Sequence, residues 1–230
     1  MTQENFYLEF NMDDLLFASI DIPMIDKQRV LNEIYPLIGS KHMFWEPYRS
    51  LFMLPLLTKG ASTGVDSMMK SNGYNADFIW SSFTPPTLKE YFQDVVFPWA
   101  GTDSSRIMLL LTPGGAQNKD HIDSRLREVG MRKHKFRIVL QGTTDTLYYI
   151  TKRGIVNAPK IDTPFLMDGS WPHGLDNTSE QMKITIAFGS PWEGRESYGP
   201  EVNMLMKRSD YELPDNLGDY AEKHEDGTYK

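Results

Sequence analysis

The sequence predicts a mainly β protein with flanking helices, built around a β-sandwich or a small barrel. Short stretches rich in apolar, β-branched and aromatic residues recur through residues 106–188, and turn-forming Gly, Pro and Asp-Gly pairs separate them. Aromatic side chains make up 12% of the 230 residues, a share that suits large side chains packed between two sheets. A chain of this length can bury one sizeable core.

The first hundred residues are predicted to flank that core. Residues 26–38 carry apolar side chains at helical spacing, and residues 87–96 show the same period after two prolines, so each segment predicts a helix. Residues 45–57 are predicted to form one strand with a proline near each end. Residues 59–75 are rich in Gly, Ser and Asn, which favours an exposed loop.

The second part of the chain carries the predicted core strands, which lie at residues 106–111, 136–140, 146–151, 165–167 and 183–188. In the last of them, Ile and Phe at even positions alternate with Thr185 and Ala187, which predicts one buried face and one outward face. We expect a single domain over residues 1–230, with its core at 104–190 and a loosely held polar tail at 209–230.

Composition and charge exclude several classes of protein. The net charge is −7 and the pI is about 5.3, so general nucleic-acid binding is not expected. The absence of cysteine excludes a disulfide scaffold, a thiolate metal site and a cysteine nucleophile. Aspartates interrupt the early apolar residues, and the longest apolar run, residues 107–111, is too short to span a bilayer. We therefore expect a cytoplasmic protein with no membrane or nucleic-acid partner.

One constellation of residues predicts a metal site. His121 and Asp123 are two positions apart, and on an extended chain such side chains point the same way. His173 follows Asp123 by 50 residues, after a Gly-Ser-Trp-Pro turn. Two histidines and one carboxylate on one face of an ion form the facial triad of non-haem Fe(II) sites. The alternative is a chance His-x-Asp tripeptide, with Asp123 capping a helical turn at 124–129.

The order of these features resembles the 2-oxoglutarate/Fe(II) oxygenase superfamily, and within it the aspartyl/asparaginyl β-hydroxylase-like branch. The resemblance covers about residues 104–190. Its first part is the apolar strand and Pro-Gly turn at 106–114, followed by His121-Ile-Asp123 and the strand at 136–141. Its second part is Trp171-Pro-His173-Gly-Leu-Asp-Asn177, with Lys183 ten residues after His173.

The resemblance implies a double-stranded β-helix core, of the jelly-roll or cupin-like kind. It also implies an Fe(II) ion on His121, Asp123 and His173, with 2-oxoglutarate as the co-substrate and dioxygen as the oxidant. Lys183 would hold the 5-carboxylate of 2-oxoglutarate, at a position where the branch usually has arginine. The implied activity is hydroxylation of an unidentified small molecule or protein side chain, so the expected partner is a small molecule or a peptide.

The same branch often carries an Arg-x-His element that helps to bind 2-oxoglutarate, and two registers are open here. Arg132-Lys-His134 matches by residue type, whereas Lys135-Phe-Arg137 matches by its distance from the end of the strand. We predict the second register, because Lys135 and Arg137 would then share one face of the strand. Arg137 is the stronger single candidate. The alternative is that this basic stretch is a solvated loop and strand edge.

The substrate is not encoded in these motifs. Five large side chains could line its pocket, although packing in the core is the alternative for the tryptophans: Trp80, Trp99, Trp171, Arg49 and Arg195. Two other functions stay open. A cupin-like metalloenzyme that does not use 2-oxoglutarate would keep the triad without needing a cation at Lys183. A non-enzymatic β-sandwich binding module would need neither the triad nor a cation at Lys183.

Overall fold

The computed structural model describes residues 12–59, 78–103, 105–123, 129, 134–189 and 199–221. Within these ranges there are three short α-helices, which are α1 (Lys27–Ile34), α2 (Pro86–Tyr91) and α3 (Phe97–Ala100). Most of the loop expected at 59–75 lies outside the described residues. None of the helices in the described ranges has the length and apolarity that a bilayer crossing requires.

The helices begin and end where local chemistry requires it. The Asp26 side chain accepts a hydrogen bond from the Arg29 N–H at 3.0 Å and caps α1, which a 3₁₀ turn at Tyr35–Leu37 closes. Helix α2 continues through a π-helical turn at Phe92–Val96 into α3, which ends at Gly101 in the left-handed conformation. Both predicted helices are therefore present, and the second runs four residues further than expected.

The strands of the described ranges are β1 (Leu15–Ile20), β2 (Phe44–Glu46), β3 (Leu51–Lys59), β4 (Phe78–Trp80), β5 (Ile107–Thr112), β6 (Gln117–His121), β7 (His134–Gln141), β8 (Leu147–Thr151), β9 (Gly154–Asn157), β10 (Phe165–Asp168), β11 (His173–Asp176), β12 (Lys183–Phe188) and β13 (Val202–Lys207). The single strand expected at 45–57 is wrong. It is two strands joined by a turn, in which Ser50 has a φ of 48°.

The strands form two antiparallel sheets. The large sheet has the order β13-β1-β10-β7-β12-β5-β3-β2, with β4 paired to β3, and the small sheet has the order β6-β11-β8-β9. From β5 onward the chain passes back and forth between the sheets, since β5, β7, β10 and β12 belong to the large sheet and the strands between them to the small one. This winding is the double-stranded β-helix, or jelly roll, and it confirms the predicted fold class.

Both faces of the large sheet are covered. Ile184, Ile186 and Phe188 on its outer face pack in one cluster with residues of α1 and α2, such as Val30 and Leu88. The inner face looks toward the small sheet. All six residues of β12 are buried for this reason, so the outward face expected for Thr185 and Ala187 is wrong. Lys183 and Thr185 lie between the two sheets instead.

The start of the predicted polar tail is held against the core. The Lys152 N–H donates to the Glu212 carbonyl and the Ile122 N–H to the Tyr220 carbonyl, each at 2.9 Å. The Ser209 hydroxyl donates to the Asp14 carboxylate at 2.8 Å. Residues 209–221, the first part of the predicted tail, are therefore hydrogen-bonded to Asp14 and to residues that directly follow β6 and β8. Residues 222–230 lie outside the described part of the chain.

Candidate metal centre and adjoining cavity

The two histidines of the predicted triad stand side by side on the small sheet. His121 ends β6 and His173 begins β11, and the two residues are direct partners in the antiparallel ladder. Their ring centroids are 4.5 Å apart. Asp123 follows β6, and one ligand atom from each of the three side chains lies within 4.8 Å of the others. This is the one cluster of its kind within the described ranges.

Hydrogen bonds set the direction of both imidazoles. The Nδ1 atom of each ring lies 2.8 Å from the carbonyl oxygen two residues earlier, that of Lys119 for His121 and that of Trp171 for His173. An Nδ1–H that donates to a carbonyl leaves the lone pair on Nε2, which is the arrangement of metal-binding histidines. Both Nε2 atoms point toward Asp123, at 3.6 Å and 3.5 Å from its oxygens. Burial lowers the pKa of His173 to about 3, so its ring is neutral.

Asp123 is a buried and ionised carboxylate. Burial alone would raise its pKa, but the charges of Lys135 and Arg49 outweigh burial and hold the pKa well below the usual value. The Lys135 ammonium lies 2.5 Å from Oδ2, and the Arg49 guanidinium lies 3.0 Å from Oδ1. The Asp123 N–H donates to the Gly169 carbonyl at 2.8 Å, which fixes the backbone. One carboxylate and two imidazoles form a donor set that fits a divalent transition metal such as Fe(II).

A cavity extends from the triad between the two sheets. Its described lining includes Arg49, Leu51, Leu110, Thr112, Asn118, Arg137, Leu147, Phe165, Met167, Leu175, Lys183 and Thr185, together with the triad itself. Most of these side chains are apolar or uncharged. The cations among them are therefore the groups that set the chemistry of the cavity.

Two of those cations form no ion pair with a carboxylate of the described residues, although the charge of Asp123 reaches Arg137 and that of Asp145 reaches Lys183. The Arg137 guanidinium donates to the Phe136 carbonyl at 3.1 Å, and burial lowers its pKa to about 10. The Lys183 ammonium donates to the Thr143 carbonyl at 2.6 Å and to the Thr146 hydroxyl, and burial lowers its pKa to about 8. Within the part of the chain that the structure describes, neither Arg137 nor Lys183 forms an ion pair with a carboxylate.

The structure also places the residues of the two competing registers. Lys135 reaches Asp123, and Arg137, two positions on, lines the cavity. His134 turns to the opposite face, where its Nε2 lies 3.3 Å from the Leu15 carbonyl. The geometry therefore brings Lys135 and Arg137 toward the triad and takes His134 away from it. Arg132 lies outside the described residues.

Of the large side chains expected near the substrate, the structure brings one to the cavity and turns others elsewhere. Arg49 lines the cavity, but the described lining includes none of the three tryptophans. The Trp171 indole donates to the Ile150 carbonyl at 2.9 Å, and the Trp99 indole donates to the Glu201 carboxylate at 2.8 Å. Trp80 packs near the ring of Phe97. Arg195 lies outside the described residues.

Asn118 is a cavity residue that no motif in the sequence marks. It is buried, and its Oδ1 has no hydrogen-bond partner among the described residues. Positions three apart on a regular strand point to opposite faces, which argues against Asn118 and His121 sharing a site. The ladder between β6 and β11 contains a register shift at this point, however, so that His173 pairs with His121 and Leu175 with Asn118. This irregularity turns both side chains inward.

Comparisons with known proteins give a likeness at the level of the fold. No protein-family model matches the chain, and a search of curated proteins finds no match. The chain is similar to a prolyl hydroxylase in complex with a hypoxia inducible factor oxygen degradation domain peptide fragment from Trichoplax adhaerens. The two share 15% identity over 80% of this chain and 86% of that chain, with a TM-score of 0.49.

Two further solved structures resemble it in the same way. A prolyl-4-hydroxylase from Pseudomonas putida shares 10% identity over 78% of this chain and 94% of its own, with a TM-score of 0.44. An oxidoreductase of the 2OG-Fe(II) oxygenase family from Burkholderia pseudomallei shares 11% identity over 71% of this chain and 78% of its own, with a TM-score of 0.44.

Proposed function

We propose that this chain is a non-haem Fe(II)- and 2-oxoglutarate-dependent dioxygenase, a hydroxylase of a small molecule or of a protein side chain. One observation carries the proposal. The triad of two imidazoles and one ionised carboxylate adjoins a cavity in which Arg137 and Lys183 form no ion pair with a carboxylate of the described residues. Buried cations without counter-charges are costly, and an anionic ligand offsets that cost.

His121, Asp123 and His173 are the residues that would hold the metal. The chemistry that Fe(II) supplies when bound is the coupling of 2-oxoglutarate decarboxylation by dioxygen to oxidation of a C–H bond. The chain's own part is to present these three ligands, which form the one such cluster among the described residues. The carbonyls of Lys119 and Trp171 keep the Nε2 lone pairs directed inward. Lys135 and Arg49 keep Asp123 ionised.

We infer that Lys183 binds the far carboxylate of 2-oxoglutarate. On the small sheet, His173 pairs with Tyr149 and Leu175 pairs with Leu147. Thr146 directly precedes Leu147, so it lies three residues from Tyr149, the partner of His173. Three residues of a strand correspond to about 10 Å. A five-carbon diacid reaches across that distance together with a metal–oxygen bond at one end and a hydrogen bond at the other. An ammonium group has three N–H bonds, and the Lys183 ammonium directs two of them at Thr143 and Thr146. The third is left for one carboxylate oxygen.

Arg137 and the apolar walls complete the proposed co-substrate site. Arg137 lies between Lys135 and the far end of the cavity on β7, where it can pair with a carboxylate nearer the metal. Leu147, Phe165 and Met167 exclude water from the same space, which strengthens each charged hydrogen bond there.

The competing functions account for less of this arrangement. A cupin-like metalloenzyme without 2-oxoglutarate would use the triad but would leave Arg137 and Lys183 without a role. A non-enzymatic binding module would not need the shared orientation of His121 and His173. The finer assignments, membership of the aspartyl/asparaginyl β-hydroxylase-like branch and a cytoplasmic location, remain predictions from the sequence.

The proposal is tested by following succinate in mixtures of the chain, Fe(II), ascorbate and 2-oxoglutarate. We expect slow succinate release even without a substrate, and none from a His173→Ala variant. Arg153→Ala is the matched control, because its side chain is 88% exposed and is not among the described residues that line the cavity. If the chain binds metal but neither binds 2-oxoglutarate nor releases succinate, the cupin-like alternative replaces this one.

A further inference from the structure

Asn118 places an unpaired amide in the wall of the cavity. The residue is 7% exposed and lines the cavity, and its Oδ1 atom accepts no hydrogen bond from any described residue. A buried carbonyl oxygen without a donor is destabilising, because it has lost its hydrogen bonds to water. Binding pockets are mostly apolar and hold a few polar groups that orient the bound molecule. Asn118 thus has the position and the chemistry of a ligand-binding residue.

The neighbours of Asn118 on the small sheet are apolar. Leu175 on β11 pairs with Asn118 on one side and with Leu147 on the other, so the three residues form one row across the sheet. All three line the cavity. On the large sheet, Thr112 and Thr185 add hydroxyl groups to the lining, and neither donates to the Oδ1 atom of Asn118. The donor that this oxygen needs therefore has to come from a molecule in the cavity.

The proposed co-substrate cannot supply that donor. The dianion of 2-oxoglutarate carries two carboxylates and a keto oxygen, which are all acceptors. Its proposed position is also different. Strand β11 separates Asn118 from Leu147 and from the adjacent Thr146, which binds the Lys183 ammonium, and two strand spacings are about 10 Å. Asn118 is therefore left to the substrate.

A molecule that binds Asn118 still lies near the metal. Asn118 and His121 belong to the same strand and are three residues apart, so their Cα atoms are at most about 11 Å from each other. The register shift between β6 and β11 turns both side chains to the same cavity. A substrate held at Asn118 by one end therefore reaches the metal with a body of a few carbon atoms.

We propose that Asn118 binds the substrate and that the substrate carries a neutral amide, whose N–H donates to the Oδ1 atom of Asn118. The carbonyl oxygen of that amide can accept from the amino group of Asn118 in return, so one group satisfies both ends of the side chain. An ammonium group would also donate, but it would bring a positive charge near the divalent metal. The proposal rests on the proposed function, because it assumes that metal and 2-oxoglutarate occupy the cavity between the triad and Lys183.

The test uses the whole chain with Mn(II) and saturating 2-oxoglutarate under air-free conditions, so that no turnover occurs. Mn(II) speeds the relaxation of nearby protons, so an NMR titration measures the affinity of a weak ligand and its closeness to the metal. Hexanamide is compared with 2-heptanone, in which a methyl group replaces the amino group. We expect hexanamide to bind at least about tenfold more tightly, because the ketone leaves Oδ1 unpaired. Hexylamine, which has no carbonyl, should bind more weakly than hexanamide.

A second amide distinguishes the two sources of such a group. N-methylhexanamide keeps one N–H, as a peptide bond does, and should also bind more tightly than 2-heptanone. Tighter binding of N-methylhexanamide than of hexanamide would assign the site to an amide within a chain, and the reverse order to a terminal carboxamide. Binding of both amides no tighter than that of the ketone would overturn the inference.

Variants of Asn118 locate the hydrogen bond. Asn118→Leu should remove the preference for hexanamide over 2-heptanone, and Asn118→Asp, which keeps an acceptor, should shift the preference toward hexylamine. Asn203→Leu should leave the preference unchanged, since Asn203 is an exposed residue of β13 outside the described lining. The preference is a ratio within one preparation, so a variant that binds less metal still reports it. An unchanged preference in Asn118→Leu, or tighter binding of hexylamine than of hexanamide to the parent chain, would overturn the inference.

The two proposals fail in different ways. If 2-oxoglutarate itself does not bind to the Mn(II) form in the first titration, the proposed function is wrong. If 2-oxoglutarate binds and hexanamide then shows no preference over 2-heptanone, the function stands and the amide substrate is wrong.

Discussion

The ammonium of Lys135 lies 2.5 Å from the Oδ2 atom of Asp123, the same oxygen that faces the Nε2 atom of His173 at 3.5 Å. A lysine therefore holds the carboxylate that the proposed metal would use. In the metal-free chain this contact neutralises a buried anion, and in the metal-bound chain it places a like charge beside a dication.

Removing that like charge should strengthen metal binding. We expect Lys135→Met to bind Mn(II) at least about tenfold more tightly than the parent, since unit charges a few ångströms apart repel by several kcal/mol at a typical effective dielectric constant. Arg49 still pairs with Asp123 in this variant and keeps it ionised. Lys152→Met, at an exposed ion pair with Asp215, is the control. Weaker metal binding by Lys135→Met would mean that Lys135 supports the ligand rather than competing for it.

Replacing the carboxylate should remove the metal site while keeping its shape. Asp123→Asn is isosteric but neutral. Changes to groups that only orient a metal ligand typically lower metal affinity by roughly 10–100-fold. Because Asp123 is a proposed ligand itself, we expect the Mn(II) affinity of this variant to fall by more than that. Metal content after dialysis is the measurement, and circular dichroism checks the fold. An unchanged metal content in Asp123→Asn would show that the ion binds elsewhere.

Lys183 should make 2-oxoglutarate binding sensitive to alkaline pH. Burial lowers its pKa to about 8 in the ligand-free chain, and a bound carboxylate must raise that value again. The affinity of the Mn(II) form for 2-oxoglutarate should therefore be level below about pH 8 and fall by up to about tenfold per pH unit above it. Lys183→Arg should lack this decline, because a guanidinium keeps its proton there. The same decline in Lys183→Arg would assign it to another group.

The same residue has an opposite effect on stability. Its pKa in the folded, ligand-free chain is below the value of 10.5 that it has when unfolded. The unfolded chain therefore binds more protons between about pH 8 and 10.5, and the free energy of unfolding rises with pH across that window. Lys183→Met should be more stable than the parent below pH 8, and the difference should shrink toward pH 10.5. A difference in unfolding midpoint that is constant with pH would contradict this account.

The C-terminal segment should contribute to stability through Arg208. The Asp168 carboxylate is fully buried, pairs with Arg208 at 3.1 Å and accepts from the Ser170 hydroxyl at 2.7 Å. Arg208→Ala leaves that buried charge without its cation, so we expect a loss of about 3–5 kcal/mol in denaturant unfolding. Arg153→Ala breaks an ion pair that is 88% and 61% exposed and should cost less than about 1 kcal/mol. Equal losses in the two variants would contradict the role of Arg208.

Local sequence rules predicted the core strands because those strands are regular. Lys183–Phe188 begins and ends where the alternation of its side chains indicates. The alternation did not reveal that helices cover the outer face and a second sheet the inner one, since that depends on contacts distant in sequence. Lys183 faces the cavity next to a register shift in the pairing of β12 with β7, which lies between Ile184 and Thr185.

The candidate site was predictable as far as its residues follow strand periodicity. His121, Asp123, Lys135 and Arg137 all obey the two-residue spacing, and the structure brings them together with His173. Asn118 and the position of Arg49 were not predictable. The first depends on a register shift between β6 and β11, and the second depends on a turn that splits the predicted strand at 45–57. Neither irregularity has a clear signal in the sequence.

The most direct test of the central claim is an anaerobic titration of the Fe(II)-loaded chain with 2-oxoglutarate, followed by visible absorption. A 2-oxo acid that chelates Fe(II) in an open site gives a weak charge-transfer band, and we expect that band to saturate at one equivalent of 2-oxoglutarate. It should be lost in His173→Ala and kept in Arg153→Ala. One Fe(II) bound per chain, with no band and no binding at any concentration of 2-oxoglutarate, would contradict the assignment.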